Sequence, residues 1–83
     1  MNTIIDIGKL HTTHMGEERV RNNLGLQTPD IVAWCKQVVS SANDDAIVRK
    51  GKNWYVFHED FTLTINAHSH TIITAHKTRS KNL

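Results

Sequence analysis

Disulfides, membrane spans and the common metal signatures are all missing from this sequence. Cys35 is the only cysteine in 83 residues, so no internal disulfide can form and a reducing compartment is expected. It sits in the apolar run IVAWC and reads as a small buried hydrophobe rather than a reactive thiol. No run approaches the ~20 apolar residues that a membrane-spanning helix requires. The opening MNTIIDIGKL has no basic segment followed by a long apolar core, so it does not read as a secretory signal. Neither CxxC nor HExxH occurs, and there are no repeats or low-complexity tracts. The expectation is a soluble cytoplasmic chain with no membrane association and no cofactor.

What is present is ordinary for a folded domain. A hydrophobic share of 39% and a charged share of 22% argue against disorder. Eighty-three residues make one domain near the lower limit of self-sufficiency, which leaves room for a homodimer or a bound partner. The net charge of +2 is a mild basic lean, not the mark of a strong polyanion binder. Its placement is uneven. Arg49, Lys50 and Lys52 cluster, and Lys77, Arg79 and Lys81 end the chain.

The hydrophobic pattern divides the chain into a helical part (1–43), a sheet (46–77) and a frayed polar tail (78–83). Ile4, Ile5, Ile7 and Leu10 form a short amphipathic piece, helical or extended. Thr12 or Thr13 then caps a helix with Glu17 and Glu18 in its first turns, Met15, Val20 and Leu24 at helical spacing, and Gly25 at its close. For a second helix the pattern predicts Thr28 as N-cap, Pro29 in the first position and Asp30 after it. Its apolar stripe is Ile31, Trp34, Cys35, Val38 and Val39. After SSANDD the period falls to two. Strands are expected at Ala46–Lys50, Asn53–His58, Phe61–Ala67 and Thr71–Lys77. The fold class is therefore α+β: two, or with the first piece three, N-terminal helices on one face of a four-stranded antiparallel meander.

The other sheet face carries Thr62, Thr64 and Asn66, and the register of the last hairpin decides what lies beside them. An even loop pairs Ile65 with Ile72 and turns Thr74 and His76 toward the core. An odd loop pairs Leu63 or Ile65 with Ile73 and brings Thr74 and His76 onto the polar face. The odd loop is preferred because it leaves His76 in water. Trp54 and Tyr55 point to opposite sides of their strand, so one is core and the other is available to stack on a base.

Six histidines frame the chemical readings. His68 and His70 form an HxH pair that, with His76 or His58, could chelate a metal, but spacing alone is a weak match and no metal site is assigned. His11 and His14 lie three apart at a helix start. His76 and Lys77 end a strand beside a hydroxyl-rich face, with Arg49, Lys50 and Lys52 across the sheet. A general base, a cation for a pentavalent phosphorane and a basic groove are what metal-free RNA cleavage through the 2′-hydroxyl needs. The plainer reading is a solvated sheet face with a basic edge that discourages aggregation.

The strings LHTTHMGEERVRNNLGL and GKNWYVFHEDFTLTINAHSHTIITAHK, with the WCK of the second helix, resemble a family of small uncharacterised bacterial proteins. The ending TLTINAHSHTIITAHK is also similar to the terminal hairpin of the barnase–EndoU–colicin–RelE-like nuclease superfamily. That resemblance implies helices packed on a four-stranded antiparallel sheet and RNA cleavage without metal. Carried onto this chain it implies His76 and Lys77 on the last strand, Asn66 and Ser69 or Thr71 around the hairpin, and His11 or His14 from the helical segment. The sheet segments lack the catalytic glutamate that the barnase type uses.

Three functions follow as expectations. The first is a toxin-type RNA-binding or metal-independent ribonuclease domain with His76, Lys77, Asn66 and Thr71 as catalytic candidates and Arg49, Lys50, Lys52 and Tyr55 as nucleic-acid contacts. The second is a non-enzymatic inhibitor or interaction module of mobile-element origin, acting on a protein partner through the sheet face or the helix bearing Trp34. The third is a histidine-based metal-binding protein.

Overall fold

Thr13 has extended backbone and its hydroxyl accepts the Gly16 N–H, while Gly25 closes the same helix in the left-handed region at φ 65°. Both ends of that helix are the ones the sequence marks. The computed structural model describes residues 2–78, and its elements in chain order are β1 (His11–Thr12), α1 (His14–Leu24), α2 (Ile31–Ser41), β2 (Ile47–Lys50), β3 (Asn53–Phe57), β4 (Phe61–Asn66) and β5 (Thr71–Lys77). Single 3-10 turns at Ile7–Lys9 and Asp44–Ala46 precede β1 and β2. The proposed tail residues 79–83 lie outside the described residues. Thr78 donates its N–H to Asp60 O and so continues the pairing beyond β5.

The sheet has five strands in the order β1-β5-β4-β3-β2, and it is mixed rather than wholly antiparallel. The four-stranded meander is present as β2 to β5. The fifth strand is β1, which runs parallel to β5 with His11 opposite Thr71 and Thr12 opposite Ile72. Two residues carry no readable period, which is why the pattern assigned this segment to the helical part. It is held by long-range bonds: Thr12 Oγ1 donates to Ile72 O at 2.7 Å across 60 residues, and His11 N donates to His70 O.

The helices differ from expectation in two details. In α2 the cap is Asp30, whose carboxylate accepts the Ala33 N–H, while Thr28 accepts the N–H of Asp30 and Pro29 stands before the cap. Aspartate two residues after Thr28 is the stronger acceptor for a helix end that carries partial positive charge. In α1, Gly16 and Val20 are buried and Leu24 packs against the core, whereas Met15 is 63% exposed. Gly16 takes the inward place because α1 crosses close over β1 and β5. A Cβ there would collide with the Thr12 hydroxyl and lie 2.8 Å from Ile72 O.

One sheet face is dry. Ile31, Cys35 and Val39 of α2 and Val20 of α1 meet Ile47, Trp54, Val56, Leu63, Ile65, Ile72 and Ala75. Each fully buried Val, Leu or Ile side chain contributes about 1.5–3 kcal/mol. Trp54 is the core member of the Trp54–Tyr55 pair. Burial pushes the Cys35 thiol up to about 12, so it behaves as the small hydrophobe its setting suggests. The Thr3 hydroxyl and N–H both donate to Asp44, tying the N-terminal segment to the 3-10 turn before β2 and holding that carboxyl below its usual range. Among the described residues no helix is long and apolar enough to cross a membrane.

The register of the last hairpin combines the two alternatives. Ile65 pairs with Ile72, as an even loop requires, and not with the preferred Ile73. A bulge then inserts Ile73, and Thr64 pairs with Thr74, Leu63 with Ala75 and Thr62 with His76. The extra residue swaps faces in mid-strand. Ile72 and Ala75 are both buried, while Thr74 and His76 still reach the polar face.

Candidate functional site: the open sheet face

Directly paired residues share a face, so the register maps the side of the sheet away from the helices. One row holds Val48, Tyr55, Thr64 and Thr74, a second holds Phe57, Thr62 and His76, and a third holds Lys50, Asn53 and Asn66. None of these residues is buried. Phe57 is 48% exposed and Val48 44%. Two aromatic rings two residues apart on β3 stand about 7 Å from one another along the strand. They sit in a field of threonine hydroxyls, with an imidazole at one margin and an ammonium at the other.

The basic cluster divides between faces. Lys50 belongs to the open face, and Lys52 is exposed in the two-residue β2–β3 turn, where Gly51 has φ 64° at the position a type II′ hairpin reserves for glycine. Arg49 is opposite Trp54 on the helix side of the edge strand, and its Nε donates to Gly51 O at 2.9 Å. Tyr55 lies at the centre of the open face.

The four catalytic candidates lie in three places. His76 and Lys77 are neighbours in sequence and therefore point to opposite faces: His76 opposes Thr62 on the open side, and Lys77 opposes Phe61 on the helix side. Asn66 and Thr71 flank the loop at the other end of the sheet. Thr62, the partner of His76, is four residues from Asn66 on β4, roughly 13–14 Å at the strand rise. The structure brings Asn66 and Thr71 together, with Ser69, but not with His76.

At the loop end the polar groups satisfy one another. The Asn66 Oδ1 accepts from the N–H groups of His68 and Ser69 and from the Ser69 hydroxyl, and Asn66 O accepts from His70 N, whose residue is left-handed at φ 61°. Ser69 Oγ lies 2.6 Å from Thr71 Oγ1, and Thr71 Oγ1 lies 3.0 Å from His11 Nε2. His11 Nδ1 is 3.0 Å from Lys9 O. His11 thus joins the cluster as the resemblance allowed, while His14 begins α1. The parallel β1–β5 pair that delivers His11 has no signal in the hydrophobic pattern.

The HxH pair sits in this loop rather than on a strand. The His70 ring meets Trp54 edge-on, with centroids 5.0 Å apart. His58 stacks on Phe61 at the opposite end, and Phe61 in turn contacts Trp34. Among the described residues no group of three or more His, Cys, Asp or Glu is placed to hold a metal ion. A shallow depression lined by Ile7, Lys36, Gln37, Ser40 and Ser41 lies on the helical side, apart from the open face.

A protein-family profile described as "Protein of unknown function (DUF3781)" matches residues 4–76. No curated protein and no solved structure matches the chain.

Proposed function

The chain belongs to the DUF3781 family, and from that premise we propose that it binds single-stranded RNA on the open sheet face. The observation that supports this reading is the pairing register, which sets Tyr55 and Phe57 side by side on one uncovered face with Thr62, Thr64, Thr74, His76 and Lys50. Bases stack on aromatic rings regardless of sequence, at about 1–3 kcal/mol per base. Threonine hydroxyls and Asn53 offer hydrogen bonds to splayed base edges, and Lys50 and Lys52 supply phosphate contacts at one margin. A net charge of +2 implies few such contacts and a shallow salt dependence.

Binding is favoured over cleavage on this face. His76 is available as a general base toward a 2′-hydroxyl, but Lys77 projects from the opposite face and cannot steady a phosphorane beside it. Cleavage therefore stands as the second arm of the same experiment. Labelled single-stranded RNA is mixed with the wild type, Phe57→Ala, Tyr55→Ala and His76→Ala in the presence of EDTA. The expected result is saturable binding, weakened about 5- to 100-fold by either aromatic substitution without loss of folding, and no cleavage. Binding untouched by both aromatic variants, or none in the wild type, overturns the reading and favours the sheet face as a protein-interaction surface. Cleavage abolished by His76→Ala would instead establish a metal-independent ribonuclease.

A further inference from the structure

We propose that Thr71 is an activated hydroxyl nucleophile with His11 as its base, forming an acyl-accepting site at the loop end of the sheet, independent of the RNA reading. The two contacts of the His11 ring fix where its proton sits. Lys9 O can only accept, so the contact at His11 Nδ1 requires that nitrogen to carry the ring proton. In the neutral imidazole Nε2 then has a lone pair, and at the 3.0 Å contact Thr71 must be the donor. Nucleophile, base and a third group orienting the base are the three parts of a hydroxyl-activating site, recognised by geometry rather than by sequence order.

The surroundings suit that role. His11 is exposed and Thr71 half-buried, so an electrophile can reach both. Neither depends on a mobile element: they oppose one another in the β1–β5 pair, Thr12 anchors the same pair through Ile72 O, and the Asn66 side chain ties down the loop between. Threonine is stiff about χ1, which keeps Oγ1 aimed at the imidazole. Ser69, 2.6 Å from Thr71 Oγ1, shares its single proton between that oxygen and Asn66 Oδ1. It is a positioning residue, because it has no base of its own.

The substrate class is an activated carboxylic ester. Thr71 Oγ1 attacks the carbonyl carbon and forms the new C–O bond, and its proton passes to His11 Nε2. The ester C–O bond then breaks, the leaving alkoxide takes that proton from the imidazolium, and Thr71 is left as the acyl ester. No redox partner or metal enters the balance.

The test uses the full chain with p-nitrophenyl acetate and, separately, a fluorophosphonate, which gives the analogous P–O bond with release of fluoride. Peptide mass spectrometry should place one acetyl or phosphonyl group on Thr71. His11→Gln, verified as folded by its thermal melt, should lower the labelling rate about 100-fold or more, and Thr71→Val should abolish it. Ser69→Ala, which removes a bond to Thr71 Oγ1 but no base, should lower it by less than His11→Gln does. Should Thr71→Val fail to fold, the wild-type mapping and His11→Gln decide alone. Labelling confined to other side chains, or a His11→Gln rate equal to wild type, overturns the proposal. RNA binding by the same variants is not expected to change, so the two readings fail separately.

Discussion

The two halves of β5 behave differently, although they belong to one strand. Its first residues are clamped: β1 pairs with Thr71 and Ile72, Gly16 of α1 lies against Ile72 O, and the loop side chains bond one another. Among the described residues its last part has only β4 as a strand neighbour, with Asn23 of α1 reaching Ala75 O and Thr74 Oγ1. Ile73 separates the halves as a bulge. Polar groups in the clamped half bond one another, the Thr71 hydroxyl and the His11 imidazole among them. In the other half Thr74 is reached by Asn23, while His76 is exposed on the face that carries Tyr55 and Phe57. A sheet can therefore hold a fixed polar cluster and part of an uncovered face within one strand, separated by a single inserted residue.

Breaking the division should cost most at the bulge. Ile72 is fully buried and Ile73 is not, so Ile72→Ala should lose about 2–5 kcal/mol in urea unfolding. Ile73→Ala should lose clearly less. Equal losses would mean that Ile73 fills the core as fully as Ile72. Gly16→Ala comes next: the added methyl has no room between Thr12 and the Ile72 carbonyl, and about 1–3 kcal/mol should go. Amide exchange should rise at His11 and Thr12 more than at His76. An unchanged melting temperature would show that α1 does not press on the clamped half. The smallest effect is expected from Asn23→Ala, which removes bonds of 2.9 and 3.3 Å from the free half. It should cost about 0.5–1.5 kcal/mol and leave fluorophosphonate labelling of Thr71 unchanged.

Much of the fold was legible because it rests on local rules. Thr13 and Gly25 bound α1, the stripe Ile31–Cys35–Val39 buries α2, and alternation in Phe61–Asn66 marks β4 within a residue of its expected end. The α+β class follows from those elements. What escaped were events with no local signature. A two-residue strand joins the sheet through partners 60 residues away, and a bulge changes the register in mid-strand, where an alternating pattern offers only two options. The site was legible to the same extent. Thr62, Thr64 and Asn66 were placed on a shared face by alternation. His76 joined them only through the preferred odd loop, whose face survives because a bulge supplies the extra residue. Alternation alone leaves open which of Trp54 and Tyr55 faces outward. His76, Lys77, Asn66 and Thr71 were grouped by proximity in sequence, and strand geometry separates them: alternation divides the first two, and hairpin length separates both from the rest. His11 entered only through a resemblance, since nothing in its neighbourhood says which strand it will meet.

The parallel β1–β5 pair has a further consequence for how the molecule comes into being. During synthesis His11 and Thr12 leave the ribosome before Thr71 and Ile72, their strand partners. Until then β4 has an open edge, α1 has no carbonyl of Ile72 to rest on, and the imidazole of His11 has no hydroxyl to bind. Closing a loop of that span is slow compared with forming the hairpins. The hydroxyl–imidazole contact therefore forms only after β5 has joined the sheet.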